Sequence, residues 1–320
     1  MFSNTTAIGA DVGRHSLRIA VITYGGEVIT ATTHSLREKQ TADYLVHELV
    51  AAIKNIRSEV AGKGINPVCI GISAKGFIDH RNGIILGPDR GIKGWKDVPL
   101  ARLVNGQTGL PVFVGNDANL MTIAEQRFGA ARNYANVVFV ALRTGIGGGI
   151  IINGRLYRGT NNAGGEIGQM IINYDDGMSD TGIRGSFEHN ASALALVRRY
   201  LELSGRKGKQ AERYLTGKEI FELSYKNDTA ARKAVRENAK LVGIGLANLI
   251  TIFAPEIIVL GGGMSQARDS YINLIRKSAF SNSLENCRAE VKIERAQLGA
   301  NAPLLGSAYY GILRLAGKNI

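Results

Sequence analysis

The sequence predicts an α/β protein of two domains with a ligand cleft between them. Three observations point there. The chain has 320 residues, more than one hydrophobic core usually fills. Short apolar runs of strand character are interleaved with longer stretches of helical spacing. One arrangement also occurs twice, about 130 residues apart: strand, small-residue turn, strand, glycine-containing hairpin. The two occurrences barely match in sequence, so two halves built on one plan, with ligand between them, is the economical reading.

The elements follow in order. A strand at 7–10 leads into Asp11-Val12-Gly13, a second strand covers 17–23, Tyr24-Gly25-Gly26-Glu27 turns the chain, and 28–32 returns. Residues 41–61 set Tyr44, Leu45, Leu49, Ile53 and Ile56 at helical spacing. The run 68–72 reads as a buried strand, 97–108 as a helix ending at Gly109, and 112–114 as another strand. In the second half 137–142 is a strand and Thr144-Gly145-Ile146-Gly147-Gly148 a glycine turn. Residues 149–152 continue as a strand, Asn153-Gly154 signals a hairpin, and 155–157 return. After residue 185 helical spacing dominates, over 191–204, 217–226 and 229–253. A buried strand at 257–260 runs into Gly261-Gly262-Gly263, a last strand covers 291–294, and a helix at 304–316 closes the chain.

Composition narrows the classes of function. Hydrophobic residues make up 45% and charged residues 21%, ordinary for a globular protein in water. The 40 glycines against 6 prolines sit in tight clusters, where backbone must approach something closely. No apolar run reaches the roughly 18 residues that span a bilayer, so no membrane partner is expected. The short polar start, residues 1–6, carries no basic stretch, which predicts no signal peptide and a cytoplasmic location. Cys69 and Cys287 match no metal-ligand spacing and read as reduced thiols. The net charge of +12 is spread over scattered residues such as Arg198, Arg199 and Lys218. With no basic block interleaved with aromatics, nucleic acid is not an expected partner, whereas anionic small ligands such as nucleotides are attracted.

Two features carry chemistry. Asn116-Asp117 follows a short buried strand and precedes a helix. A carboxylate there stands where open α/β sheets bind ligands, or it caps the helix. The glycines of 144–149 either bring backbone N–H groups against phosphates or form an ordinary hairpin. The residues alone leave both alternatives open.

Taken together, the motifs resemble a known family. They are Asp11-Val12-Gly13 with Arg18-Ile19-Ala20, Gly94-Trp95-Lys96-Asp97-Val98-Pro99-Leu100, Gly115-Asn116-Asp117-Ala118-Asn119 and Thr144-Gly145-Ile146-Gly147-Gly148-Gly149. Gly164-Gly165-Glu166-Ile167-Gly168 follows, then Gly182, Gly185 and Glu188, then Leu260-Gly261-Gly262-Gly263. In order and spacing they resemble the ROK family (repressors, open reading frames, kinases) of the actin-like ATPase superfamily. The resemblance implies two RNase H-like (actin-like ATPase) domains: a small one of 1–115 plus 304–320 and a large one of 116–303. It implies an ATP-dependent, glucokinase-like hexose kinase, assembled as a homodimer or homotetramer, with Asp117 as the general base on the sugar hydroxyl, O6 in particular. Gly76, Asn116, Asp117, Glu166, Gln169 and Glu188 would bind the sugar. Asp11, Gly13, Thr144, Gly145, Gly147, Gly148, Gly261, Gly262 and Gly263 would bind ATP, with Asp11 associated with Mg²⁺.

The sequence also departs from the family. Kinases of the family usually read Asp-Ile-Gly-Gly-Thr-Lys where this chain reads Asp11-Val12-Gly13-Arg14-His15-Ser16. Arg143 replaces a glycine, Gln169 a histidine, Lys75 a proline and Asp89 an asparagine. The family's zinc pattern Cys-x-Cys-Gly-x-x-Gly-Cys-x-Glu aligns with residues 179–188, where Ser179, Thr181 and Ser186 replace the cysteines. Thiolates supply most of such a site's affinity, so no structural zinc is expected, and the lone His189 reads as structural. These changes keep open an alternative, a catalytically weak or inactive sugar sensor or regulator. Repressors of the family carry an N-terminal helix-turn-helix, and only six residues precede the first expected strand here.

Overall fold

The computed structural model describes residues 5–38, 40–87, 92–179, 181–205 and 215–318; Asp89 and Asp180 lie outside them. The chain divides into two compact units, residues 1–133 with 152–164 and 298–320, and residues 134–151 with 165–297.

The first unit is built on a five-stranded sheet. Its strands are β1 (Thr6–Val12), β2 (Ser16–Thr23), β3 (Val28–Ser35), β4 (Ile70–Ala74) and β5 (Val112–Asn116), in the order β3-β2-β1-β4-β5. The first three pair antiparallel, and β1, β4 and β5 run parallel. At the β2–β3 turn Gly26 takes φ 90°, a conformation that glycine adopts without penalty. Helix α1 (Ala42–Ala61) buries Leu45, Leu49, Ile53 and Ile56, and Thr41 caps it by accepting the Tyr44 N–H at 3.2 Å. Helix α2 (Leu100–Thr108) begins later than the spacing suggests, because Asp97 sits at φ 57° and Pro99 precedes the first turn. It ends at Gly109 in the left-handed region, as expected. Helix α3 (Asp117–Phe128) follows β5 directly.

A second five-stranded sheet repeats the plan. Strands β6 (Val137–Leu142), β7 (Ile146–Ile152), β8 (Arg155–Leu156), β9 (Ile257–Gly261) and β10 (Lys292–Arg295) form a sheet ordered β8-β7-β6-β9-β10. β6 and β7 are antiparallel, while β6, β9 and β10 run parallel. The two sheets thus share one order and one pattern of directions, which is the repeat expected from sequence. Asn153 and Gly154 both take positive φ, 51° and 75°, as a tight two-residue hairpin requires. Helices α4 (Phe187–Ala191), α5 (Ala193–Ser204), α6 (Gly217–Tyr225), α7 (Thr229–Phe253) and α8 (Asp269–Ser281) pack around Phe187, Tyr200, Leu246 and Tyr271. The helix expected over 191–204 begins two residues later, because Ser192 is extended and its hydroxyl caps α5 by accepting the Ala195 N–H, while Ala191 ends α4.

The closing helix α9 (Ala302–Leu315) returns to the first unit and lies on β1 and β4. Glycines permit the approach: a Cβ at Gly9 would overlap the Leu304 carbonyl oxygen, and one at Gly71 the Ser307 carbonyl oxygen. Gly306 lets the same helix touch the Leu120 backbone of α3, which places α3 in the first unit. The sequence boundary at residues 115 and 116 falls at the start of that helix. Among the described residues no helix is long and apolar enough to cross a membrane.

The contacts predict opposite signs for two glycine substitutions. Gly71→Ala forces backbone apart and lowers the urea midpoint, at about 1–3 kcal/mol for overpacking. Gly106→Ala, on the exposed face of α2 with nothing within 4 Å, raises it by about 0.5–1 kcal/mol.

Candidate active site

In each unit the residues singled out by sequence collect at the carboxyl ends of the parallel strands, where such sheets bind ligands. In the first unit Val12 pairs with Ala74 and Ala74 with Asn116, so the segments that follow these residues leave one sheet edge together. Asn116 donates its side-chain N–H to the Gly76 carbonyl at 3.2 Å and accepts the Asn119 N–H at 3.1 Å, which caps α3. Gly76, at φ 96°, and Asn116 are thereby tied to each other. Asp117 is the first residue of α3, half-buried, and its Oδ1 accepts the Ala118 N–H at 2.9 Å. The capping role belongs to Asn116, leaving Asp117 in the first turn of the helix. Beneath Asn116 lies a small pocket lined by His80, Asn119, Arg158, Asn162 and Tyr310. His80 pairs with Asn162, and burial, with Arg158 nearby, holds the imidazole below its ordinary pKa.

Asp11 stands inside β1 with partners from both neighbouring strands. Arg18 donates to its Oδ2 at 2.6 Å and the Ser73 hydroxyl to its Oδ1 at 3.2 Å. Sequence reasoning assigned neither of them to the site. Arg18 belonged to a matched segment, while Ser73 had no signal, because its place opposite Asp11 comes from parallel pairing with β4. Gly13 turns the chain by donating its N–H to the Ser16 carbonyl at 3.0 Å. The side chains of Arg14 and His15 are exposed. Their backbones are held by Gln40, which donates to the Arg14 carbonyl, and by Leu36, whose N–H reaches the His15 carbonyl at 2.9 Å.

In the second unit β6 and β9 end side by side, Ala141 opposite Gly261. The glycine turn expected over 144–148 is shorter than that. Ile146 already belongs to β7, and Gly147 and Gly148 pair with Ala141 and Val140; only Arg143, Thr144 and Gly145 turn. Gly148 is glycine because a Cβ would overlap Ile167, and Gly262, at φ 87°, because a Cβ would overlap the Leu142 carbonyl oxygen. Gly263 opens a short 3₁₀ turn over Gly263–Gln266. Gly262 therefore lies against Leu142 and Arg143, where the 143–145 turn begins.

Glu166, exposed, precedes the 3₁₀ turn Ile167–Gln169. Gly168 in that turn abuts the Ile146 carbonyl oxygen. Glu188, half-buried on α4, accepts the Ile146 N–H on Oε2 at 2.8 Å. A Cβ at Gly145 would overlap the same Oε2. The residues expected to hold sugar in this unit and the turn expected to hold phosphate thus form one packed group.

The positions aligned with the zinc ligands are joined by hydrogen bonds. The Thr181 hydroxyl donates to Gln169 Oε1 at 2.7 Å and lies 2.7 Å from the Ser179 hydroxyl, which also accepts the Ile183 N–H. Ser186 caps α4 by accepting the His189 N–H. Arg198 donates to the His189 carbonyl, in keeping with a structural histidine. Among the described residues no group of three or more His, Cys, Asp or Glu is arranged to hold a metal ion. Such hydrogen bonds contribute about 1 kcal/mol each, against about 10–16 kcal/mol for a structural zinc. A strong zinc chelator is therefore expected to leave the melting temperature unchanged, whereas Thr181→Ala lowers it by a few degrees and weakens any ligand held by Gln169.

Residues 7–312 match the ROK family. A glucokinase of Streptomyces coelicolor is 32% identical over 314 residues, covering 94% of this chain and 96% of that protein. A xylose repressor of Bacillus spizizenii is 29% identical over 300 residues, covering 94% and 75%. Among solved structures, a ROK hexokinase from Thermus thermophilus superposes with a TM-score of 0.85 at 29% identity, covering 98% of this chain and 100% of that one. A ROK family glucokinase from Streptomyces griseus in complex with glucose and AMPPNP gives 0.79 at 31% identity, covering 96% and 99%.

Proposed function

The chain belongs to the ROK family, and from that premise we propose that it is an ATP-dependent hexose kinase transferring the γ-phosphoryl group of ATP to the sugar O6 hydroxyl. Its likeness to a glucokinase over nearly the whole of both chains supports the reading, as does its likeness to a kinase that binds glucose and an ATP analogue. The observation that carries it is Asp117, a carboxylate at the end of β5 in the first turn of α3, beside an Asn116 already fixed on Gly76.

In this reading Asp117 takes the proton of the attacking hydroxyl as the new O–P bond forms and the bond to ADP breaks. Such a base contributes roughly 10²–10⁴-fold, about 3–5 kcal/mol of barrier. Gly76, Asn116, Glu166, Gln169 and Glu188 hold the hydroxyls. A carboxylate suits vicinal hydroxyls because each oxygen accepts more than one hydrogen bond. The N–H groups of the 143–145 turn, the strand glycines Gly147 and Gly148, and the 261–263 turn hold the nucleotide, with Gly13 and Asp11 on its phosphates. Mg²⁺, when bound, neutralises charge on those phosphates. It keeps most of its waters and needs one or two carboxylates, and Asp11, anchored by Arg18 and Ser73, fits that need.

A second reading, a sugar-binding regulator with little or no turnover, is favoured by Arg14-His15-Ser16 in the first phosphate loop. Similarity to a xylose repressor across 94% of this chain points the same way. A coupled assay with Mg-ATP and a panel of hexoses separates the two. The kinase reading expects turnover with at least one hexose, and a fall of about 10²–10⁴-fold in kcat for Asp117→Asn with a much smaller change in the sugar KM. Sugar binding seen by thermal shift without any turnover supports the regulator.

A further inference from the structure

We infer that Glu188 couples sugar to nucleotide, so that each ligand binds more tightly when the other is present. The inference rests on the reading of Glu188 as a sugar ligand. What the structure adds is the other end of that side chain. Oε2 accepts the Ile146 N–H at 2.8 Å, at the point where the 143–145 turn becomes β7. The absence of a Cβ at Gly145 is what lets the carboxylate come so close. One carboxylate therefore has one oxygen on the phosphate turn and a second oxygen to offer a sugar hydroxyl.

The surroundings leave that turn little other freedom. On one side Gly262 presses on the Leu142 carbonyl and the Arg143 side chain. On another, the Arg143 carbonyl accepts the Ala193 N–H at 2.9 Å, at the start of α5. Gly168, in the turn that carries Gln169, abuts the Ile146 carbonyl. A sugar that engages the second oxygen of Glu188 fixes the rotamer and with it the hold on Ile146. The nucleotide then meets a turn already ordered, and the ordering entropy is not lost a second time. The reverse order of binding gives the same gain, since linkage between two binding sites is reciprocal.

The test is a set of titrations on the full chain. The nucleotide dissociation constant, with AMPPNP and Mg²⁺ as the probe, is measured with and without saturating hexose, using glucose, fructose and N-acetylglucosamine in turn. The hexose constant is measured with and without AMPPNP. For the wild type the expected result is a tightening of about tenfold, equal in the two directions and within the usual range for coupled sites. Gly145→Ala, whose methyl group pushes Oε2 off the Ile146 N–H, brings the ratio to within twofold of one, whatever it does to either affinity alone. Glu188→Gln keeps an oxygen for Ile146 but faces an amide to the sugar; it weakens the hexose and also lowers the ratio. Should the wild type bind both probes with a ratio of one, or both variants keep the wild-type ratio, the coupling is wrong while the kinase reading stands. Should no hexose bind the wild type, the sugar assignment itself is wrong, and the coupling falls with it.

Discussion

Asp11 lies opposite Ser73 and Ser73 opposite Gly115, while in the second sheet Ala141 lies opposite Gly261. That in-register parallel pairing is what everything at the site depends on. It makes adjacent strands end level, so that the segments following them leave the sheet at one edge. Gly13 and Asp117 are one residue, and Gly76 two, beyond a paired residue in the first unit, and in the second the 143–145 turn and Gly262 follow paired residues likewise. A slip of one residue would turn every alternate side chain to the other face. Asp11 would then lose Arg18 and Ser73 together, and Asn116 would no longer reach Gly76.

Much of this was legible because it is local. The hairpin at Asn153-Gly154 and the helix stop at Gly109 follow from residues that accept positive φ, and the spacing of Leu45, Leu49, Ile53 and Ile56 is a helical face by arithmetic. A helix following Asn116-Asp117 could also be read, since the pair comes after a short buried strand, although α3 already begins at Asp117. What escaped was non-local or split between two readings. Gly147 and Gly148 looked like turn residues, yet they are strand residues, and the missing Cβ of Gly148 makes room for Ile167 on the neighbouring 3₁₀ turn. The start of α5 was read two residues early, because a serine caps a helix as readily as it rides in one. Ser73 gave no sign at all, since its meaning comes from a strand 62 positions away in sequence.

The described residues of the 179–188 segment are held by hydrogen bonds. Gln169, Thr181 and Ser179 form a hydrogen-bonded chain. The bonds are individually weak, and the segment leans on its neighbours. Gly185 fits against the Asn173 carbonyl, and Ser186 is fully buried at the start of α4. α4 in turn carries Glu188, so these bonds bear on how firmly a candidate ligand residue is held.

Everything proposed for the chain requires that the Asp117 carboxylate meets the hydroxyl of a bound sugar. A crystal structure grown with a hexose, AMPPNP and Mg²⁺ tests this directly. The account predicts a hexose whose acceptor hydroxyl lies within hydrogen-bond distance of Asp117 and points at the γ-phosphate. A hexose seated away from Asp117 would contradict it.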